Sequence, residues 1–176
     1  MTALELIDQV LSKLGEAQIA GPEIEGVLPQ ALRALARQVA YSPNRELLRK
    51  DFSVSVASGT GDLTTALTAS EPLLLECIDH AAIYGTSDTT PWQYLPDRVQ
   101  LGLKRPSMFV YFTVDKSTLR TRNTDGSLTS LTTTATVTSN YVPSLANVPS
   151  SIEDDLVDVV IRILAPTVEA VAPAAV

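Results

Sequence analysis

The sequence predicts an α+β protein. It reads as a small helical bundle, of two N-terminal helices and one C-terminal helix, with an inserted antiparallel β-meander and an extended C-terminal tail. Three observations predict this. Apolar residues recur at helical spacing before residue 51 and again after 149. Between those segments the period drops to two, starting with "FSVSVAS" at Phe52. The closing stretch, "APTVEAVAPAAV", is small and apolar with two prolines. The expected boundaries are 1–51 for the first helices, 52–148 for the β-region, 149–165 for the last helix and 166–176 for the tail.

The first helix, in "TALELIDQVLSKLGE", carries Leu4, Ile7, Leu11 and Leu14 one to three turns apart. Thr2 and Glu5 have the spacing of a capping box, and Gly15 suits the end. "AQIAGPEIEG" reads as a connector. A second helix follows in "VLPQALRALARQVAYS", with Pro29 in its first turn, a stripe of Leu28, Leu32, Leu35 and Val39, and Arg33 and Arg37 on another face.

In the β-region, "SGTGDL" is a turn after the first strand. "PLLLECIDHAAIYG", bounded by Pro72 and Gly85, is expected to be a strand, and a short helix is expected near Pro96–Leu101. Three strands then follow: "MFVYFTV", "TLRTR" and the threonine-rich "LTSLTTTATVTSNYV". "DKS" turns the first into the second, and Asp125-Gly126 signals a hairpin between the second and third. Ser150 and Glu153 have capping-box spacing before a helix whose stripe is Ile152, Leu156, Val159, Val160 and Ile163, and Pro166 is expected to stop it.

Thirteen basic residues against twenty acidic ones give a net charge of −7. That balance argues against a general nucleic-acid binder, which needs a basic face to displace counterions from phosphates. It is compatible with a surface along which DNA slides without being gripped. Cys77 is the single cysteine, so no internal disulfide forms. The start lacks the basic and long apolar segments of a secretion signal, and the tail is shorter than the roughly 20 apolar residues of a membrane span. The chain reads as folding in a cytoplasm without membrane contact.

No catalytic, cofactor or metal set emerges. Cys77, Asp79 and His80 lie close together, but no second histidine or cysteine completes a zinc site. "SGTGDL" lacks the lysine of a phosphate loop. "TRNTDG" starts with Thr121 where a calcium loop needs a carboxylate. A hydrolase would have to rely on the lone His80. Two charge features stand out. Glu153, Asp154, Asp155 and Asp158 suit the first turns of a helix through its dipole; as a surface, Asp154, Asp155 and Asp158 would keep DNA from sticking. Arg120 and Arg122 share one strand face, with Lys104 and Arg105 nearby in sequence. They either mark a solvated or edge-guarding strand face or contact a neighbouring subunit or ring.

The order of these signals resembles a known group. "KDFSVSV" is followed by "LLLECIDHAAIYG", "WQYLPDRVQL", the compact unit "RPSMFVYFTVDKSTLRTRNTDGSL", and "SNYVPSLANVPSSIEDDLVDVVIRILA". Over nearly the whole chain this is similar to the head–tail adaptor, connector or neck, proteins of tailed bacteriophages. The shared motifs are short and structural, and the long strand around "LTTTATVTSNY" is richer in threonine than that group's pattern.

The resemblance implies an assembly part and not an enzyme: a ring of identical subunits, a dodecamer, in the virion neck. The ring would bind below the phage portal protein, extend the DNA channel and offer a platform to tail or neck proteins beneath. It implies no cofactor and no specific DNA contact. It also implies that the C-terminal tail, with Ala165, Pro166, Val168, Val171, Pro173 and Val176, docks in the portal. Another neck or tail-terminator ring would share the ring logic without that tail. A β-rich surface or carbohydrate-binding module would suit the threonines but has few aromatics to stack on sugars, Trp92 being the single tryptophan.

Overall fold

A computed structural model describes residues 1–15, 19–95, 109–123 and 125–171, with side chains described through Pro166. The chain divides into two compact units, one made of Met1–Leu48 with Val142–Val176, the other of Arg49–Tyr141. Among the described residues the architecture is mixed, with four α-helices and a seven-stranded sheet.

The first unit is helical. Helix α1 (Ala3–Leu14) begins with the expected capping box: the Glu5 amide donates to Thr2 Oγ1 at 3.3 Å and the Thr2 amide to Glu5 Oε2 at 2.7 Å. That bond holds the Glu5 carboxyl below its usual range. The helix ends at Gly15, whose φ of 69° is costly for a residue with a Cβ. Its buried face centres on Leu6 and Val10, and Leu4, expected in the stripe, is exposed.

Helix α2 spans Gly21–Ala40, so it starts well before the expected first turn and takes in most of the supposed connector. Pro22 fills the first-turn position in place of Pro29, and Glu23 accepts the Ala20 amide at 3.1 Å. Pro29 sits inside the helix. It removes the bond to the Glu25 carbonyl, but both residues are exposed, so water can take the freed carbonyl. Ile24, Ala31, Leu32, Leu35, Ala36 and Val39 are buried.

The last helix is entered through a 3-10 turn, Ser150–Ile152, and not through the expected Ser150 cap. Below, α3 is the one-turn helix Thr64–Leu67 and α4 is Glu153–Val171. Helix α4 packs on α1 and α2, and its Leu156, Val157, Val159, Val160 and Leu164 are buried, with Ile163 only half-buried. Pro166 does not stop α4. The proline is exposed, and the carbonyl it deprives belongs to exposed Arg162, so the loss is again met on the wet face. The segment 166–171 is therefore helical and not an extended tail.

The second unit holds the sheet. Its strands are β1 (Arg49–Ala57), β2 (Thr60–Asp62), β3 (Ile83–Gly85), β4 (Gln93–Tyr94), β5 (Tyr111–Asp115), β6 (Thr118–Arg122) and β7 (Thr133–Asn140), in the order β3-β7-β1-β2-β6-β5-β4. The sheet is mixed and not the antiparallel meander expected, because β4 runs parallel to β5. The Asp125-Gly126 signal does mark a turn, with the Gly126 amide on the Asn123 carbonyl at 2.9 Å. That turn returns only to the single bridge Arg122–Leu128, after which β7 crosses to pair with β1.

Alternation in β1 sends Phe52, Val54 and Val56 inward and Ser53 and Ser55 outward. The core adds Leu63, Leu73, Ile78, Ile83, Trp92, Phe112, Leu119, Ala135 and Val137. The run 72–85 is not one strand. It forms a bridge at Leu73, a 3-10 turn at Leu75–Cys77, a turn at Asp79–Ala82 and only then β3.

The sheet curls until its edges meet. The Trp92 amide, one residue before β4, donates to the Ile83 carbonyl of β3 at 2.7 Å. Asp88 staples the loop between them, its Oδ2 accepting the Gly85 amide at 3.1 Å and Trp92 Nε1 at 2.5 Å.

Of the turn expected over "SGTGDL", only Ser58 and Gly59 make the β1–β2 hairpin, with φ of 49° and 77°, the left-handed pair that suits a two-residue hairpin, while Thr60–Asp62 are strand β2, held between β1 and β6. A Cβ on Gly59 would lie 2.2 Å from the Thr129 carbonyl oxygen. Gly59→Ala should therefore destabilise by about 3 kcal/mol or more, read as a lower denaturation midpoint. Gly26→Ala, in an open position of α2, should instead stabilise by about 0.5–1 kcal/mol. Equal effects of the two would contradict these turn and helix assignments.

Candidate functional site

Three sets of sequence-selected residues can now be placed. Arg120 and Arg122 lie on β6, and its register puts Arg120 opposite Thr113 and Arg122 opposite Tyr111 of β5. Both arginines therefore share a face, as their spacing predicts. Their charge is partly committed within the chain: Arg120 Nη1 donates to Asp115 Oδ2 at 3.3 Å and Arg122 Nη1 to the Gly126 carbonyl at 3.3 Å. Arg120 is also not on an edge, because β6 is flanked by β2 and β5. The edge-guarding reading thus fails for this strand. On the same face, the Thr113 hydroxyl is buried without a hydrogen-bond partner, a feature the sequence does not signal. Lys104 and Arg105 lie outside the described residues.

The acidic set divides. Asp154 and Asp155 are exposed in the first turn of α4, where they complement the helix dipole. Asp158 reaches Lys13 of α1 at 2.9 Å and holds that ammonium above its ordinary range. Glu153 meets the Met1 amino group at 3.1 Å. Two of the four acids thus pair with cations at the start of the chain and in α1, and Asp158 stays exposed beside Asp154 and Asp155.

Of the C-terminal residues, Ala165 is half-buried and Pro166 exposed, while Val168 and Val171 continue the helix. Pro173 and Val176 lie outside the described residues, as does the helix expected near Pro96–Leu101.

His80 is in a turn and not on a strand. Its ring stacks on Tyr94 of β4, with centroids 4.0 Å apart and planes 9° from parallel, and meets the edge of Phe112 at 6.1 Å. Asp79 beside it is bound to Arg49 of β1 and caps the Ala81 amide. Burial holds the His80 pKa below its ordinary value, against a smaller opposing pull from Asp79. Of Cys77, Asp79 and His80, Asp79 is thus taken up by an ion pair and His80 by an aromatic stack. Among the described residues no cluster of three His, Cys, Asp or Glu side chains could hold a metal.

A shallow recess of about 200 Å³ opens between Ser87–Trp92 and Phe109–Val110. The carboxylate among its described lining residues, Asp88, is already engaged by the Gly85 and Trp92 donors. Among the described residues no helix is long and apolar enough to cross a membrane.

The arginine pair should contribute little to stability, because the solvent-accessible Arg120–Asp115 pair is worth about 0–1 kcal/mol and Arg122 makes only a long 3.3 Å bond to the Gly126 carbonyl. Arg120→Gln with Arg122→Gln should leave the melting temperature close to the parent's. Asp88→Ala should cost more. It strands the indole N–H of Trp92, which is only 2% exposed, and such an orphaned donor costs about 1–3 kcal/mol. Thermal unfolding of both variants orders the two effects, and a larger loss from the arginine changes would assign them a structural role. No protein-family model matches the chain, and a search of curated proteins returns no match.

Proposed function

We propose that the protein is a head–tail adaptor of a tailed bacteriophage. It is a structural ring subunit that binds below the portal, extends the DNA channel and presents a platform to the tail. The observation that carries this reading is the order of motifs along nearly the whole chain, ending in the "YVPSLANVP" entry to the last helix. The chain plan supports it: both ends of the chain contribute to one helical unit, and a β-unit is inserted between them.

In this reading Arg120 and Arg122 contact a neighbouring subunit or ring, and Asp154, Asp155 and Asp158 belong to an acidic lining past which DNA slides. The residues from Ala165 onward dock in the portal, arriving as a helix through Val171 and not as an extended strand. Their small apolar side chains gain about 25 cal/mol per Å² on burial. A ring presents many such segments at once, so weak docking per chain sums to firm attachment. That same helical course also suits the second reading, a tail-terminator ring, which needs no portal-docking tail.

Electron microscopy of the purified protein, alone and mixed with a tailed-phage portal protein, tests the class. Rings, and rings stacked on portal, are expected. A protein that stays monomeric and ignores the portal contradicts the proposal. Deleting residues after Pro166 spares the buried apolar residues of α4 among the described side chains, Leu156 through Leu164. The truncated protein should keep its helical circular dichroism and lose portal capture. Rings that form yet still capture portal after truncation point to the terminator-like reading.

A further inference from the structure

We propose that the closure of the curled sheet is a pH-sensitive seam, held shut by neutral His80 and loosened when its imidazole takes up a proton. The edges β3 and β4 are joined by the Trp92 amide on the Ile83 carbonyl and by the Asp88 staple. The His80–Tyr94 stack is a third link across the same line. His80 belongs to the Asp79–Ala82 turn that leads into β3, whereas Tyr94 is in β4. A ring from the turn that leads into β3 and a ring from β4 therefore meet face to face.

The groups packed around His80 decide the sign. Tyr94 from β4 and Phe112 from β5 offer ring surface and no charge. From its own turn comes Asp79, whose carboxylate is shared with Arg49 of β1 and the Ala81 amide. An imidazolium here loses water without gaining a free carboxylate among the described residues. The face of Tyr94 attracts a cation, but the burial cost outweighs the attraction of Asp79, and the ring stays neutral to lower pH than free histidine does. The closed seam thus prefers neutral His80. Its contribution is complete above the ordinary histidine pKa and is lost as the pH falls through that value toward the lower pKa of the closed state. Histidine is the side chain that titrates in this range, and His80 is the single histidine of the chain. Opening would uncover Trp92, which is now 2% exposed.

Hydrogen exchange at the Trp92 amide between about pH 8 and about pH 5 tests this, after correction for the intrinsic rate. Protection at Trp92 should fall on acidification while the β1–β7 ladder keeps its own, and Trp92 fluorescence should shift toward that of a solvated indole. In His80→Gln the pH dependence at Trp92 should vanish. Tyr94→Leu, which removes the stacking partner and keeps the histidine, should abolish it as well. If Trp92 protection is unchanged across the His80 titration followed by NMR, or falls equally in His80→Gln, the seam is not governed by this residue.

Discussion

The ladder between β1 and β7 is the constraint on which the rest of the molecule depends. Its eight register pairs run from Arg49 opposite Asn140 to Val56 opposite Thr133. Residues so paired have Cα atoms about 5 Å apart, so the chain enters and leaves the β-unit side by side. That adjacency is what allows residues 1–48 and 142–176 to build one helical unit although about ninety residues separate them. Both strands of the ladder lie inside the sheet, β7 between β3 and β1 and β1 between β7 and β2. The ladder's inward residues Phe52, Val54, Val56, Ala135 and Val137 supply much of the core against which the short strands collect. Strands of two or three residues, such as β3 and β4, have too few bonds to stand alone, and they exist because this core holds them.

Closure of the curled sheet follows from the same economy. Exposed strand edges invite pairing with other chains. Here each edge is short and the two are turned toward one another. The Asp88 carboxylate takes the Gly85 amide and the Trp92 indole, so a single side chain both ends β3 and fixes the start of β4. Gly85 fits because a Cβ there would approach Asp88 Oδ2 to 2.5 Å. The surface left outside is polar: Ser53 and Ser55 of β1 face out beside Thr134, Thr136 and Thr138 of β7, their register partners there being Thr136 and Thr134. The threonine density noted in the sequence thus serves a strand with one dry and one wet face.

Local signals in the sequence were read where one residue or one period decides the outcome. The Thr2–Glu5 cap, the Gly15 stop, the alternation of β1 and the Ser58-Gly59 turn each follow from a few neighbouring atoms. The misreadings arose where tertiary context decides. Pro29 and Pro166 stand inside helices because each lies on the solvent side, which no rule of propensity reveals. "PLLLECIDHAAIYG" is apolar because Leu73, Leu74, Ile78 and Ile83 are all buried, although only the last three residues of the run form a strand. The order of strands, and with it the parallel β4–β5 pair, depends on which distant partner each strand meets. The arginine pair was legible as a shared face, whereas the stack of His80 on Tyr94 joins residues from separate segments and has no local signature.

The division of the helical unit between the two ends of the chain has a consequence for synthesis. As the polypeptide leaves the ribosome, α1 and α2 appear first, yet the apolar residues that cover them, Leu156, Val160 and Leu164 among others, come last. The β-unit has its last ladder residue once Asn140 has emerged and can close while α4 is still being made. Domains fold as units once their residues are available, so the nascent chain carries a closed sheet and an open helix pair for the time needed to add α4. The apolar faces of α1 and α2 are then bare, and the step that covers them is also the one that delivers the C-terminal helix in place.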